Sequence, residues 1–181
     1  ETAQFFVSSP GGGGESMQLM VLLSIAAAAK RLAISASYFV PDDATLSALR
    51  IAALSGVDTQ LILSMSSNQR LSAWAQASYY AELLAAGVRI ALYRPHFLHA
   101  KHLSVDDHIV LVGSINLDIR SFALNAEIGM LCYSADVVSR LRRIEAGYLA
   151  DCEHLSAQDW SRRPAWRRSL EGVARLADPL L

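Results

Sequence analysis

The chain has 181 residues, of which 52% are hydrophobic; that suits one domain with a sizeable core. Sixteen Lys and Arg against seventeen Asp and Glu leave a net charge of −1, which excludes a global basic field for holding nucleic acid. Two cysteines, Cys132 and Cys152, are too few for a disulfide framework, and Cys132, in an apolar run, reads as buried and reduced.

In chain order, Gln4 to Val7 reads as a strand. Ser8-Ser9-Pro10 and four glycines then break it; no G-K-[ST] follows, so the glycines read as a flexible turn, not a phosphate loop. Ser16 to Lys30 reads as a helix. Its apolar run, Met17 to Ala29, is shorter than the roughly 20 residues of a membrane span, so it reads as a buried core helix. A chain that starts on glutamate and shows no signal peptide reads as a piece of a longer protein. Ala33 to Tyr38 is the next strand. A helix from Asp43 to Leu54 follows, capped by Asp42 or Asp43, with Gly56 past its end. Val57 to Ser64 is a strand, Leu71 to Ala86 a helix stopped at Gly87, and Val88 to Tyr93 a strand.

Residues 98–105 are apolar and β-prone and read as a strand. Asp106-Asp107 is a tight turn, and His108 to Val112 returns. Ala126 to Tyr133 is a strand, Asp136 to Ala150 a helix, and the tail from Ser156 two short helices broken at Pro164. Strands alternating with helices, followed by a hairpin, imply an α/β sandwich with a mixed sheet and helices on both faces.

The chemistry concentrates between His99 and Asn116. Side chains two apart on a strand share a face, roughly 6–7 Å apart, so His99 and Lys101 reach one small group together. The turn places Ser114 and Asn116 near the same end. An imidazole, a cation, a hydroxyl and an amide converging on one spot are the groups phosphoryl transfer needs. A neutral imidazole can attack phosphorus and split one displacement into two. Lys101 and Asn116 would hold the phosphoryl oxygens, with Ser114 beside them. Asp106, at the turn, reads as structural, holding the hairpin by hydrogen bonds.

His99, Lys101 and Asp106 form H-x-K-x4-D, and Gly113, Ser114 and Asn116 follow. This resembles the signature of the phospholipase D superfamily. YFVPD at 38–42, SYYAELLAAGVRI at 78–90, FLHAKHLSVDD at 97–107, GSINLDIRSFALNAE at 113–127 and the W-x-x-R-P-x-W-R-R to P-L-L ending are similar to the C-terminal half of bacterial cardiolipin synthase. The resemblance implies a phospholipase D-like α/β sandwich, a single domain over residues 1–181 with a helical tail over 156–181. It implies phosphatidyl transfer between two phosphatidylglycerol molecules, giving cardiolipin and glycerol without metal or cofactor. An acidic residue near position 127 orients the histidine in that family, so the role falls to Glu127. The family carries two motifs per chain behind an N-terminal membrane region, and this sequence carries one motif. A second motif-bearing half or a homodimer is therefore expected as partner, with a membrane surface on the cytoplasmic side of the bacterial inner membrane. The rival reading is a homodimeric single-motif nuclease or phosphodiesterase of the same superfamily.

Other candidates have ordinary competitors. His96, His99 and His102 are spaced by three, which on a strand alternates faces, so no metal site is expected and His102 should point away from His99. His108 and His154 read as surface residues, and Tyr79-Tyr80 as packing. Asp118 and Arg120 either line the mouth of the site or form a loop salt bridge. Trp160 to Arg168, with four arginines and two tryptophans, suits either a membrane interface or a solvated helix face.

Overall fold

The computed structural model describes residues 2–9, 14–66 and 70–175. The glycines at 11–13 and the P-L-L ending lie outside the described residues. The first half of the chain runs β1 (Thr2–Ser8), α1 (Gly14–Ala26), β2 (Arg31–Ala36), β3 (Phe39–Val40), α2 (Asp43–Leu54), β4 (Asp58–Ser64), α3 (Arg70–Ser78), α4 (Tyr80–Ala85) and β5 (Arg89–Tyr93). The second half runs β6 (His102–Val105), β7 (Ile109–Gly113), β8 (Leu117–Asp118), α5 (Ile119–Ala123), β9 (Glu127–Tyr133), α6 (Ala135–Ala150), β10 (Cys152–His154), α7 (Ala157–Ser161) and α8 (Ala165–Arg175).

Eight strands form one mixed sheet in the order β1-β9-β7-β6-β2-β4-β5-β10. β2, β4 and β5 are parallel, as helical crossovers require, and the β6–β7 hairpin and β9 are antiparallel. Alternation along the strands divides the core between two faces. Leu61 and Leu63 of β4 pack with Met17, Leu46 and Leu83 of α1, α2 and α4, whereas Ile62 joins Tyr93, Leu98 and, on α6, Tyr148. Val110 and Cys132 meet Val138 of α6 on that second face. The α/β sandwich read from the sequence is therefore the architecture, and Cys132 is a buried free thiol.

Several elements depart from the sequence reading. The first helix stops at Ala26, short of Lys30. The cause is Asp106: its carboxylate accepts from the backbone N–H groups of Ala29 at 3.0 Å, Lys30 at 2.8 Å and Arg31 at 2.8 Å. Those three donors turn toward the carboxylate and the chain leaves the helix. Asp106 thus pins the start of β2 rather than the hairpin's own backbone. It sits at φ +45°, a left-handed conformation that Asp tolerates better than most residues. The backbone bonds outweigh burial and hold its carboxyl below the usual range.

The helix expected over 71–86 is interrupted at Tyr79. The Ser78 hydroxyl donates to the Ala75 carbonyl at 2.6 Å and Tyr79 N–H reaches Gln76 at 3.3 Å, a tighter turn that separates α3 from α4. β3 and β8 form a two-residue parallel pair outside the main sheet, and β10 adds an antiparallel edge to β5. α5 is capped by Asp118, whose carboxylate accepts from Ser121 N–H at 2.6 Å. These four short elements carry too few residues to show a period.

α6 is fastened to the sheet through a buried carboxylate. Glu145 accepts from Ser104 Oγ at 2.8 Å, with His102 Nε2 and Arg31 Nη2 each at 3.4 Å. Burial alone would raise its pKa. The bonds from His102 and Ser104 and the Arg31 charge outweigh burial and hold the carboxyl below the usual glutamate range. Because the folded value is depressed, this contribution is fully present above the unfolded pKa, about 4.3, and is lost as pH falls through the folded value. Glu145→Ala removes the partner of the part-exposed Arg31 guanidinium and strands two buried polar side chains, Ser104 and His102. It should cost about 3–5 kcal/mol, read as a fall in the denaturation midpoint at pH 7.

Candidate active site

His99 and Lys101 do not lie on a strand. β6 begins at His102, and residues 97–101 lead into it outside any strand, the Lys101 carbonyl being reached from β7 by Gly113 N–H at 3.4 Å. Pro95 and the anchoring of this segment by side chains explain the difference: Leu98 N–H donates to Ser64 Oγ at 3.0 Å and Phe97 packs on Tyr38. The two side chains nonetheless meet. Lys101 Nζ lies 3.2 Å from His99 Nε2 and donates to Ser37 Oγ at 2.9 Å. His99 is exposed, and its ring also meets Phe97. With the ammonium as donor, Nε2 is the acceptor and the ring proton sits on Nδ1. Partial burial lowers the Lys101 pKa, and the carboxylates of Glu127 and Asp118 oppose that shift.

Glu127 does not bond His99 as the sequence reading required. Its carboxylate accepts from the Ser114 hydroxyl and from Asn125 Nδ2 at 3.3 Å. Register explains this. Gly113 pairs with Gly129, Ser114 N–H donates to the Ile128 carbonyl at 2.9 Å, and Ile128 N–H donates to Ser114 Oγ at 3.0 Å. Ser114 is thereby seated directly against Glu127 across β7 and β9. The Glu127 charge is felt at Lys101, the partner of His99, where it favours the ammonium form. The strands can come this close because position 113 is glycine: a Cβ there would overlap the Ile128 carbonyl and meet Gly129 Cα at 2.9 Å. Glu127→Gln should keep the Ser114 bond and remove the charge that supports the Lys101 ammonium. The alkaline limb of the pH–rate profile should then move to lower pH, with kcat reduced and KM little changed. An unmoved limb contradicts the coupling.

Asn116 leads into β8 and lines a cavity of ≈ 150 Å³ with Tyr38, Ser72, Asp118, Arg120 and Asn125. Its Oδ1 is buried and has no hydrogen-bond partner among the described residues. An unpaired buried amide oxygen is costly, and the residue that carries it forms part of the cavity wall. Asp118 and Arg120 both line the space, and no ion pair between them occurs among the described residues. Burial, reinforced by nearby Glu127, raises the Asp118 pKa against the bonds from Ser121. Tyr38 and Ser72 were missed from sequence. Tyr38 follows Ser37, the Lys101 partner, and the β3–β8 pairing (Phe39 with Leu117) brings it to Asn116; only the YFVPD resemblance hinted at it.

The remaining candidates disperse. His96 packs on the Tyr93 ring, His102 is buried against Glu145, and His108 and His154 are exposed. Tyr79 and Tyr80 are buried packing residues.

Comparison with known proteins bears on what this arrangement does. Residues 21–146 match the family model described as "Cardiolipin synthase, PLD-like domain". The chain is 38% identical over 180 residues to cardiolipin synthase A of Pectobacterium carotovorum, which covers 99% of this chain and 37% of that protein. The chain thus spans a little over a third of the length of the curated relatives it matches. Among solved structures, phosphatidylserine synthase of Haemophilus influenzae superposes with TM-score 0.78 at 17% identity, over 98% of this chain and 46% of that one. Nuc, a phospholipase D family member from Salmonella typhimurium, superposes with TM-score 0.73 at 18% identity, over 86% of this chain and 99% of that one. These two likenesses bear on fold.

Proposed function

We propose a function that starts from one fact: the chain belongs to the cardiolipin synthase, PLD-like domain family. It is one motif-bearing half of a phosphatidyltransferase, a single domain over 1–181 that joins two phosphatidylglycerol molecules into cardiolipin and glycerol. The observation that carries this reading is the His99–Lys101 contact at 3.2 Å, joined through the Phe97 and Tyr38 rings to the cavity that Tyr38 and Asn116 line.

In the first step an unprotonated imidazole nitrogen attacks phosphorus. The N–P bond forms, the P–O bond to glycerol breaks, and the leaving alkoxide takes a proton from an acid on the opposite side. In the second step the hydroxyl of another phosphatidylglycerol attacks, gives its proton to that group and frees the histidine. His99 serves as nucleophile or as the partner acid. Lys101 and the Asn116 carboxamide hold the non-bridging oxygens. Ser114 and Glu127 keep Lys101 charged and placed, and Asp106 and Gly113 hold the backbone that carries them. No step in this sequence calls on a metal or cofactor. No described helix is long and apolar enough to cross a membrane. The relatives are bacterial, and this half would act at the cytoplasmic side of the inner membrane through its surface or through another part of a longer protein.

Product analysis tests the reaction class. Phosphatidylglycerol supplied to the chain with a first half should yield cardiolipin and one glycerol per turnover. Phosphatidic acid as the main product would make water the acceptor. Cleavage of DNA in place of lipid, by a homodimer, would replace this reading with the nuclease one.

A further inference from the structure

α8 is amphipathic the wrong way round for a helix that only covers a domain. Its inward side carries Glu171 and Ala174, both buried. Glu171 is neutralised there by Arg163 in a two-pronged pair at 2.6 and 3.0 Å, and Arg163 itself stacks on Trp160. Its outward side carries Trp166, Leu170 and Val173 at i, i+4 and i+7, one stripe, with relative exposures of 60%, 40% and 65%. α3 packs alongside and adds Leu71 and Trp74, exposed by 42% and 38%. Trp74, Trp166 and Leu170 line one open groove of ≈ 580 Å³ together with Arg163, Arg167 and Glu171. Trp74, Trp166 and Leu170 share that groove, and exposed Leu71 and Val173 lie three residues from Trp74 and Leu170 on their helices, an apolar exposure that a freely soluble surface rarely keeps.

The charge around the patch selects its occupant. Glu171 is the carboxylate lining the groove, and Arg163 cancels it. Arg167 is exposed with its guanidinium over the Trp166 ring, and exposed Arg162 lies just before the helix. Exposed tryptophan and aliphatic side chains bordered by arginine match the boundary between acyl chains and anionic headgroups. The patch also adjoins the site: α3 places Ser72 in the wall of the Asn116 cavity and Trp74, two residues on, in the groove.

We propose that α8 and the outer side of α3 form a membrane-docking surface for anionic phospholipid, set beside the site so that a headgroup reaches His99 while its acyl chains stay in the bilayer. The proposal rests on the lipid reading above, and its test separates the two. The 181-residue chain is sedimented with vesicles of phosphatidylglycerol and phosphatidylcholine and with vesicles of phosphatidylcholine alone. Binding should favour the anionic vesicles. Trp166→Ser combined with Leu170→Ser should weaken it at least about tenfold, and Arg167→Glu should weaken it on anionic vesicles. His99→Asn should bind like the parent chain, so a loss of catalysis leaves docking legible. Should the double variant fail to fold, quenching of the parent's tryptophan emission by brominated lipid gives the same answer, quenching being expected. Parent chain that stays in solution, a double variant that binds as the parent does, or a double variant that loses association with itself or with a first half while keeping vesicle binding would each overturn the proposal; the last would make the patch a protein interface.

Discussion

Replacing His99 by asparagine in an enzyme with both motifs present should lower turnover at least about 10⁴-fold, the scale seen when a nucleophile that works as part of a unit is removed. Asparagine retains a hydrogen-bonding group for Lys101 Nζ, now 3.2 Å from the imidazole, so the lysine should stay in place on Ser37. Lipid KM should move by no more than about threefold, because the headgroup contacts assigned to Lys101 and Asn116 survive. The imidazole has no substitute among the described residues: His96 is turned to Tyr93 and His102 is buried with Glu145. Steady-state cardiolipin formation, with circular dichroism to show an intact fold, checks it. Residual activity above about one per cent would remove His99 from the chemistry.

The second large effect concerns the isolated chain. One motif supplies one imidazole, while displacement at phosphorus needs a nucleophile on one side and a proton donor on the other. Without that donor the alkoxide must leave unprotonated, and general acid catalysis is worth roughly 10²–10⁴-fold. The other acids nearby do not replace it. Glu127 is held by Ser114 and Asn125, and Asp118 caps α5. The chain as a monomer should therefore be slower than the two-motif assembly by at least that factor, and self-association with motifs facing should restore part of the rate.

Much of this was legible in the sequence because long-period signals carried it. Strands such as β4 and helices such as α2 repeat their pattern over enough residues to be recognised, whereas His99 and Lys101 meet without the strand that their spacing was read from. The short elements were not legible. β3 and β8 are two residues each and exist only because they pair with each other. The end of α1 was hidden because the group that stops it, Asp106, lies 77 residues from Ala29. The Glu127 partner was misread for a similar reason: the family resemblance supplied a role, but the register of β7 against β9 decides which side chain the carboxylate meets.

The central claim, that this chain is half of a catalytic site, is tested most directly by titration. A fixed amount of the chain, shown to be monomeric in the assay buffer, is mixed with increasing amounts of a motif-bearing first half from a two-motif relative, and cardiolipin formation is followed. The account predicts near-zero rate for the chain alone, a rise that saturates at one first half per chain, and no rise when the chain carries His99→Asn. A strictly monomeric chain that forms cardiolipin at the saturated rate without any first half would contradict it.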